Sequence, residues 1–195
     1  FDEADERRNS DGTPQRFTTR TADAQTISVG AVFHLDPAKQ FSVFFNRNTS
    51  FQPVFTQSAD GFSLPHIEGN QIEAGLKWEL FDGHFAGTFS YFDIARDNIP
   101  RPKPGSTEPG VLRPAKGETS DGFEISLTAA PFPGFQVVAG YTDVNARDAS
   151  GDVLSNVAEN NFAMFGSFKP REGALKDWMF TLGANKRGDQ FTDDR

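Results

Sequence analysis

The sequence predicts an all-β protein, and within that class an antiparallel transmembrane β-barrel segment: about eight strands of a larger barrel, laid out as a meander of hairpins. Three observations carry this expectation. Apolar and polar residues alternate with period two over stretches of roughly ten residues, the length a tilted strand needs to cross a bilayer. Short and long connections alternate between those stretches, as tight turns on one rim and extended loops on the other require. The aromatic residues are 21 Phe against 2 Trp and 2 Tyr, and many of the Phe fall in or beside alternating segments, where lipid-facing bands and interfacial girdles need them.

The first strand, around Gln25 to Leu35, sets Ile27, Val29, Ala31, Phe33 and Leu35 against Thr26, Ser28, Gly30 and His34. Asp36-Pro37-Ala38-Lys39 is a tight turn. The second, from Gln40 to about Asn48, places Phe41, Val43 and Phe45 outward, with Phe44 an apolar exception on the other face. The third carries the clearest signal: Ile72, Ala74, Leu76, Trp78 and Leu80 alternate with Gln71, Glu73, Gly75, Lys77 and Glu79. A helical period would scatter these apolar residues, and a strand buried on both faces would not carry three charges on one of them, so one face is wet. Phe81-Asp82-Gly83 turns into a fourth strand with Phe85, Gly87, Phe89 and Tyr91 on one face. A fifth, Gly122 to Ala130, alternates Phe123, Ile125, Leu127 and Ala129 with Glu124, Ser126 and Thr128, and Pro131-Phe132-Pro133-Gly134 leads to its partner with Phe135, Val137, Ala139 and Tyr141. Strands around Phe162 to Lys169 and Trp178 to Asn185, joined by Pro170 to Asp177, complete the series. The longer connections, about Phe51 to Gly69 and about Asn98 to Gly117, are rich in Gly, Pro, Ser and charge and read as loops.

Composition narrows the function. A mean hydropathy of −0.51 and the lack of any long apolar run exclude a transmembrane helix but not a barrel, whose strands are apolar at alternate positions only. With no Cys there are no disulfides, thiolate metal sites or Cys nucleophiles. A net charge of −8 argues against a phosphate-binding surface, so nucleic acid is not an expected partner. Neither end closes a pattern: the chain opens at Phe1 without an initiator Met or an apolar signal segment, and stops within the charged run Lys186 to Arg195. It therefore reads as an internal piece of a longer protein.

Several stretches resemble the later barrel region of TonB-dependent receptors, chiefly of the siderophore type, over nearly the whole chain. Thr49-Ser50-Phe51-Gln52-Pro53 resembles the Ser-Phe-x-Pro that ends a family strand at an extracellular loop. Glu73 to Gly83 is similar to the family's Glu-x-Gly-Leu-Lys-x-Glu-Leu-Phe-Asp-Gly hairpin, and Phe92 to Ile99 to the strand end after it. Gly117-Glu118 with Gly122-Phe123-Glu124, and Pro133-Gly134-Phe135 through Ala139-Gly140-Tyr141-Thr142, resemble the next two strands. Asn156-Val157-Ala158-Glu159-Asn160 departs from the pattern, which commonly has Pro after Val. The resemblance implies that residues 1–195 are a partial receptor barrel domain, with the plug domain and the final strands of a barrel of about 22 strands lying elsewhere. It further implies the outer membrane of a Gram-negative bacterium, with outer-membrane lipid, a ferric siderophore or similar metal chelate, and the TonB energy-transducing complex as partners.

No catalytic constellation, resident metal or cofactor is expected. His34, His66 and His84 lie in different segments without a carboxylate framework and read as structural, and no phosphate-cradling glycine motif is present. Asp148, Ser150, Gly151 and Asp152 make a faint Ca²⁺-like loop that lacks a closing Glu, so a solvated loop is the reading. Glu73, Lys77, Glu79 and Glu124 point to the lumen, where they pair with each other and with plug residues or guide a substrate. Phe51, Phe55, Phe62 and His66 in one long loop, with Arg101, Lys103 and Arg113 in the next, either are solvated or meet a ferric chelate. Aromatic rings would supply contact area there, and cations would complement catecholate or carboxylate groups.

The leading functional expectation is active import of a ferric siderophore. The same family also offers cobalamin, haem or glycan import. A different class is a stand-alone eight-stranded outer-membrane barrel with a structural or adhesive role, since eight strands suffice for closure. A soluble β-sandwich binding module would leave the stripe from Ile72 to Leu80 without a purpose.

Overall fold

The computed structural model describes residues 23–115 and 117–191. Its strands are β1 (Ser28–His34), β2 (Phe41–Gln52), β3 (Ile67–Leu80), β4 (Phe85–Asp97), β5 (Ile99–Pro102), β6 (Leu112–Ala115), β7 (Glu118–Ala129), β8 (Phe135–Arg147), β9 (Asn160–Phe168) and β10 (Phe180–Arg187). Eight of them form one antiparallel sheet in the order β1-β2-β3-β4-β7-β8-β9-β10. These are the eight strands the sequence predicts. The two extra strands, β5 and β6, make a separate hairpin inside the connection that reads as a loop. Pro100, Pro102 and Pro114 hide it from a sequence reading, because proline cannot donate to a ladder and survives only on strand edges.

Register turns alternation into two chemically different faces. Phe33, Val43, Leu76, Phe89, Ile125, Tyr141 and Phe162 lie side by side on the outer face. On the inner face His34, Ser42, Lys77, Thr88, Ser126 and Gly140 form the neighbouring row. The outer side chains are apolar yet exposed, Phe45, Ile72, Phe89 and Tyr91 among them. A soluble sandwich would cover such a face with a second sheet; among the described residues no second layer does so, and lipid is the remaining apolar solvent. From Ile72 to Leu80 the apolar stretch of β3 runs roughly 26 Å along the strand, or about 20 Å in height once tilted, close to the apolar band of an outer-membrane barrel.

Several strands are longer than the bilayer asks. Beyond the band on the long-loop side, the outer positions of β4, β7 and β8 become Asp93, Asp121, Asp143 and Asn145, so the sheet continues into water as a collar. This corrects one expectation: Phe51 is not a loop residue but the outward side chain near the end of β2. The tight turns are built as their residues dictate. Asp36 accepts the N–H groups of Gln40 (3.0 Å) and Phe41 (2.8 Å) on its carboxylate. Pro133-Gly134 forms a turn closed by Phe135 N–H to the Phe132 carbonyl at 3.1 Å, with Gly134 at φ 86° where only glycine sits without strain.

The sheet is open. β1 and β10 are its two end strands and are not hydrogen-bonded to each other, which removes the closed eight-stranded cylinder as a description of this chain. Phe1 and residues 192–195, on which the reading of the two ends rests, lie outside the described residues.

Candidate functional site

The long connections 53–66 and 98–117 leave the sheet on the same rim, and they fold against each other. Their junction begins at Ser58, which is 3% exposed. Its hydroxyl donates to Asp60 Oδ1 at 2.6 Å and accepts the Leu112 N–H at 2.9 Å, while Ala59 N–H donates to the Gly110 carbonyl at 2.9 Å. Arg113 then clasps Asp60 through Nη2 at 2.6 Å and Nη1 at 3.2 Å, the two-pronged geometry only arginine offers. The same guanidinium lies 4.5 Å from the centre of the Phe62 ring. Leu64 and Val111 are buried, which gives the pair of loops an apolar core of its own. The Arg113 guanidinium, with help from the Ser58 hydroxyl, holds the Asp60 carboxyl far below the usual carboxylate range, and Asp60 in turn raises Arg113.

The expected ligand-facing residues therefore divide. Arg113 is held in the clasp, with Phe62 40% exposed beneath it. Arg101, on β5, binds Glu118 of β7 at 2.6 Å and pins the hairpin to the sheet. Phe51 meets His66 edge-on at 6.2 Å. His66 Nδ1 accepts the Val54 N–H at 3.1 Å, so its ring organises the loop base. Lys103 has an exposed side chain and donates its backbone N–H to Val111 at 2.9 Å. Phe55 is 51% exposed. The structure thus brings Phe62, Arg113 and the loop cores together, and the Lys103 side chain is exposed. Sequence reasoning did not single out Ser58 or Asp60, and it included Arg96 and Glu118 only within strand motifs and not as site residues. Opposite charges in the two long connections were the available signal, but which charge meets which depends on how the loops fold.

On the inner face Phe44 packs over Gly75, and Lys77 Nζ sits 4.8 Å from the centre of the Phe44 ring. Among the described residues Glu73, Lys77, Glu79 and Glu124 are in no ion pair, so the expected pairing with each other is not found. His34 and Ser42 share a hydrogen bond of 2.8 Å beside Lys77 and Glu79, in a concavity of about 530 Å³ toward the short-turn rim. Asp148 accepts the N–H groups of Ser150 (2.8 Å) and Asp152 (3.1 Å), the self-contained turn of a solvated loop rather than a cation cage. His84 bonds the Ala130 carbonyl at 2.7 Å and ties two short turns together.

An apolar belt outside, a polar concave face inside, tight turns on one rim and folded loops on the other define the wall of an outer-membrane β-barrel. More narrowly, residues 2–195 match the family described as TonB dependent receptor-like, beta-barrel, and the chain belongs to it. Its place is the outer membrane of a Gram-negative bacterium. The chain is 30% identical to the ferripyoverdine receptor of Pseudomonas aeruginosa over 82% of its length, covering 20% of that protein. It is 26% identical to the metal-pseudopaline receptor CntO of the same species, covering 80% of this chain and 22% of that one. The chain thus spans about a fifth of these curated relatives. Among solved structures, the P. aeruginosa ferripyoverdine receptor bound to ferripyoverdine superposes with a TM-score of 0.70 at 28% identity, over 89% of this chain and 24% of that one. The complex of FpvAI with pyocin S2 superposes with a TM-score of 0.74 at 27% identity, over 89% and 23%.

Proposed function

We propose that this chain is part of the wall and extracellular mouth of a receptor that binds a ferric siderophore and imports it with energy from TonB. In this reading residues 1–195 are a partial barrel domain, and the plug and remaining strands are supplied by the rest of the receptor. One observation carries the proposal: the relatives that align along most of this chain are receptors for metal chelates, ferripyoverdine and metal-pseudopaline among them. The task is transport, so the site needs surfaces that bind and release rather than groups that make or break bonds.

Within this reading the loop residues take different roles. The clasped loops form a preshaped platform, which lowers the ordering cost of binding. Phe55 and Phe62 offer aromatic area and Lys103 a cation to a chelate on that platform, while Arg101, Arg113, His66 and Phe51 hold it in shape. The polar inner face around Lys77, Glu79 and Ser126 then supplies a wet path.

Uptake of radiolabelled ferripyoverdine, ferric citrate and ferrioxamine B by an iron-starved strain, with the full-length receptor as its only chelate receptor, tests this. Energy-dependent uptake of at least one is expected; uptake of none overturns the proposal.

A further inference from the structure

Below the clasped loops, and above the apolar belt, a second polar feature lies on the inner face. Arg96 of β4 stands directly across from Gly69 of β3 on one side and Glu118 of β7 on the other. Its Nη2 reaches 3.4 Å from the Gln52 carboxamide oxygen on β2, passing over β3 at the level where Gly69 presents no side chain. Under this bridge is a pocket of about 140 Å³ lined by Ser50, Gln52, Gly69, Gln71, Ile94 and Arg96 among others, and no carboxylate is among its lining residues.

The charge of Arg96 is in surplus. Glu118, its nearest acid, stands at 3.4 Å, but Arg101 holds the other Glu118 oxygen at 2.6 Å. Two guanidinium groups thus share one carboxylate. Glu118 is 14% exposed and Arg96 is 45% exposed, so the cation and not the acid faces the mouth. Arg113, the other arginine expected to face a ligand, is already held by Asp60.

Resting on the receptor reading above, we propose that this pocket receives one anionic oxygen group of the chelate, a carboxylate or comparable small oxyanion, as the ligand passes from the loops toward the lumen. Its size decides between the whole ligand and a part of it. A volume of about 140 Å³ admits a single small group with a water or two, whereas sites that enclose a drug-sized molecule run to roughly 300–1,000 Å³. Arg96 would give up two 3.4 Å contacts for a charge-assisted pair with the incoming oxygens, and the Ser50 hydroxyl and the Gln52 and Gln71 carboxamides stand ready to donate to them.

The test compares the full-length receptor in detergent with its Arg96→Gln and Arg96→Lys variants, following quenching of intrinsic tryptophan fluorescence. The probes are ferric citrate, which carries free carboxylates, and ferrioxamine B, a ferric hydroxamate that carries none. Arg96→Gln is expected to weaken ferric citrate roughly ten- to hundredfold and to leave ferrioxamine B within about twofold, with Arg96→Lys restoring part of the loss. Raised salt should weaken ferric citrate in the wild type more than in Arg96→Gln. Equal affinity of wild type and Arg96→Gln for ferric citrate overturns the inference and leaves the receptor reading standing. So does a wild type that binds ferrioxamine B alone. Binding of neither probe also overturns it, while uptake of ferripyoverdine in the preceding assay would keep the receptor reading.

Discussion

Leu76 and Lys77 are adjacent in sequence and face different solvents. Leu76 sits midway along the apolar stretch of β3 and points to lipid; Lys77 points inward over the Phe44 ring. Leu76→Arg is expected to cost ~2–4 kcal/mol in lipid-embedded stability, the price of a charge at mid-bilayer, and Lys77→Ala less than about 0.5 kcal/mol. Denaturant unfolding of the full-length receptor in lipid vesicles checks this, and equal tolerance of both changes would overturn the assignment of this face to lipid and with it the barrel reading. Asp60 makes a pH-dependent contribution whose sign follows from its lowered pKa. Its pairing with Arg113 is fully present above the unfolded value near 3.8 and is lost as pH falls through the lower folded value. Protection against hydrogen exchange in residues 53–66 and 98–117, taken relative to the intrinsic rate at each pH, should therefore be the same at pH 5 as at pH 7, and should fall only in stronger acid. Arg113→Ala should lower that protection wherever Asp60 is ionised, and Arg113→Lys should not restore it, because an ammonium lacks the fork and the flat face that Asp60 and Phe62 use.

Strands need close approach as well as pattern. Gly87 of β4 lies under the Trp78 ring on the outer face, and a Cβ there would run into the indole and the Ser126 carbonyl. Gly87→Val offers a better strand former and a more lipophilic surface, yet it should destabilise the receptor by about 1–3 kcal/mol through overpacking. A thermal-shift or denaturant series that found it neutral would show that Trp78 can move aside. The β5–β6 hairpin teaches the complementary point. Its residues have weak strand chemistry, and the hairpin is secured from outside by Arg101 on Glu118 and by the clasp at Asp60. Alternation could not have shown it, because the stabilising partners lie in other elements.

At the scale of the whole molecule the sheet is incomplete by itself. Its outer face expects lipid, its inner face expects a watery lumen, and among the described residues β1 and β10 each pair with a strand on one side only. Expressed alone, residues 1–195 are expected to aggregate, and lipid or detergent without the neighbouring strands should not yield a heat-resistant, cooperatively unfolding species. Refolding trials followed by circular dichroism and heat-dependent gel mobility test this. A stable monomer from this segment alone would show that the two edges can find each other.

Much of this was legible in the chain itself. Eight crossing strands, their inward and outward faces and the tight turns at Asp36, Asp82 and Pro133 follow from a period-two pattern and from turn residues, while membership of an outer-membrane receptor family was legible through the resemblance of stretches such as Glu73 to Gly83. Those signals are local: side chains alternate along any strand, and a turn is decided within four residues. The candidate site was only partly legible. Phe55, Phe62, Arg101, Lys103 and Arg113 could be nominated by type, but whether a cation is free or bound depends on which distant residue it meets. Tertiary structure decided that Arg113 belongs to Asp60, that Arg101 takes Glu118, and that Arg96 is left with charge to offer. The physical reason is that the sequence sets which face a residue occupies, while electrostatic pairing is settled across space by loops whose path no periodicity records.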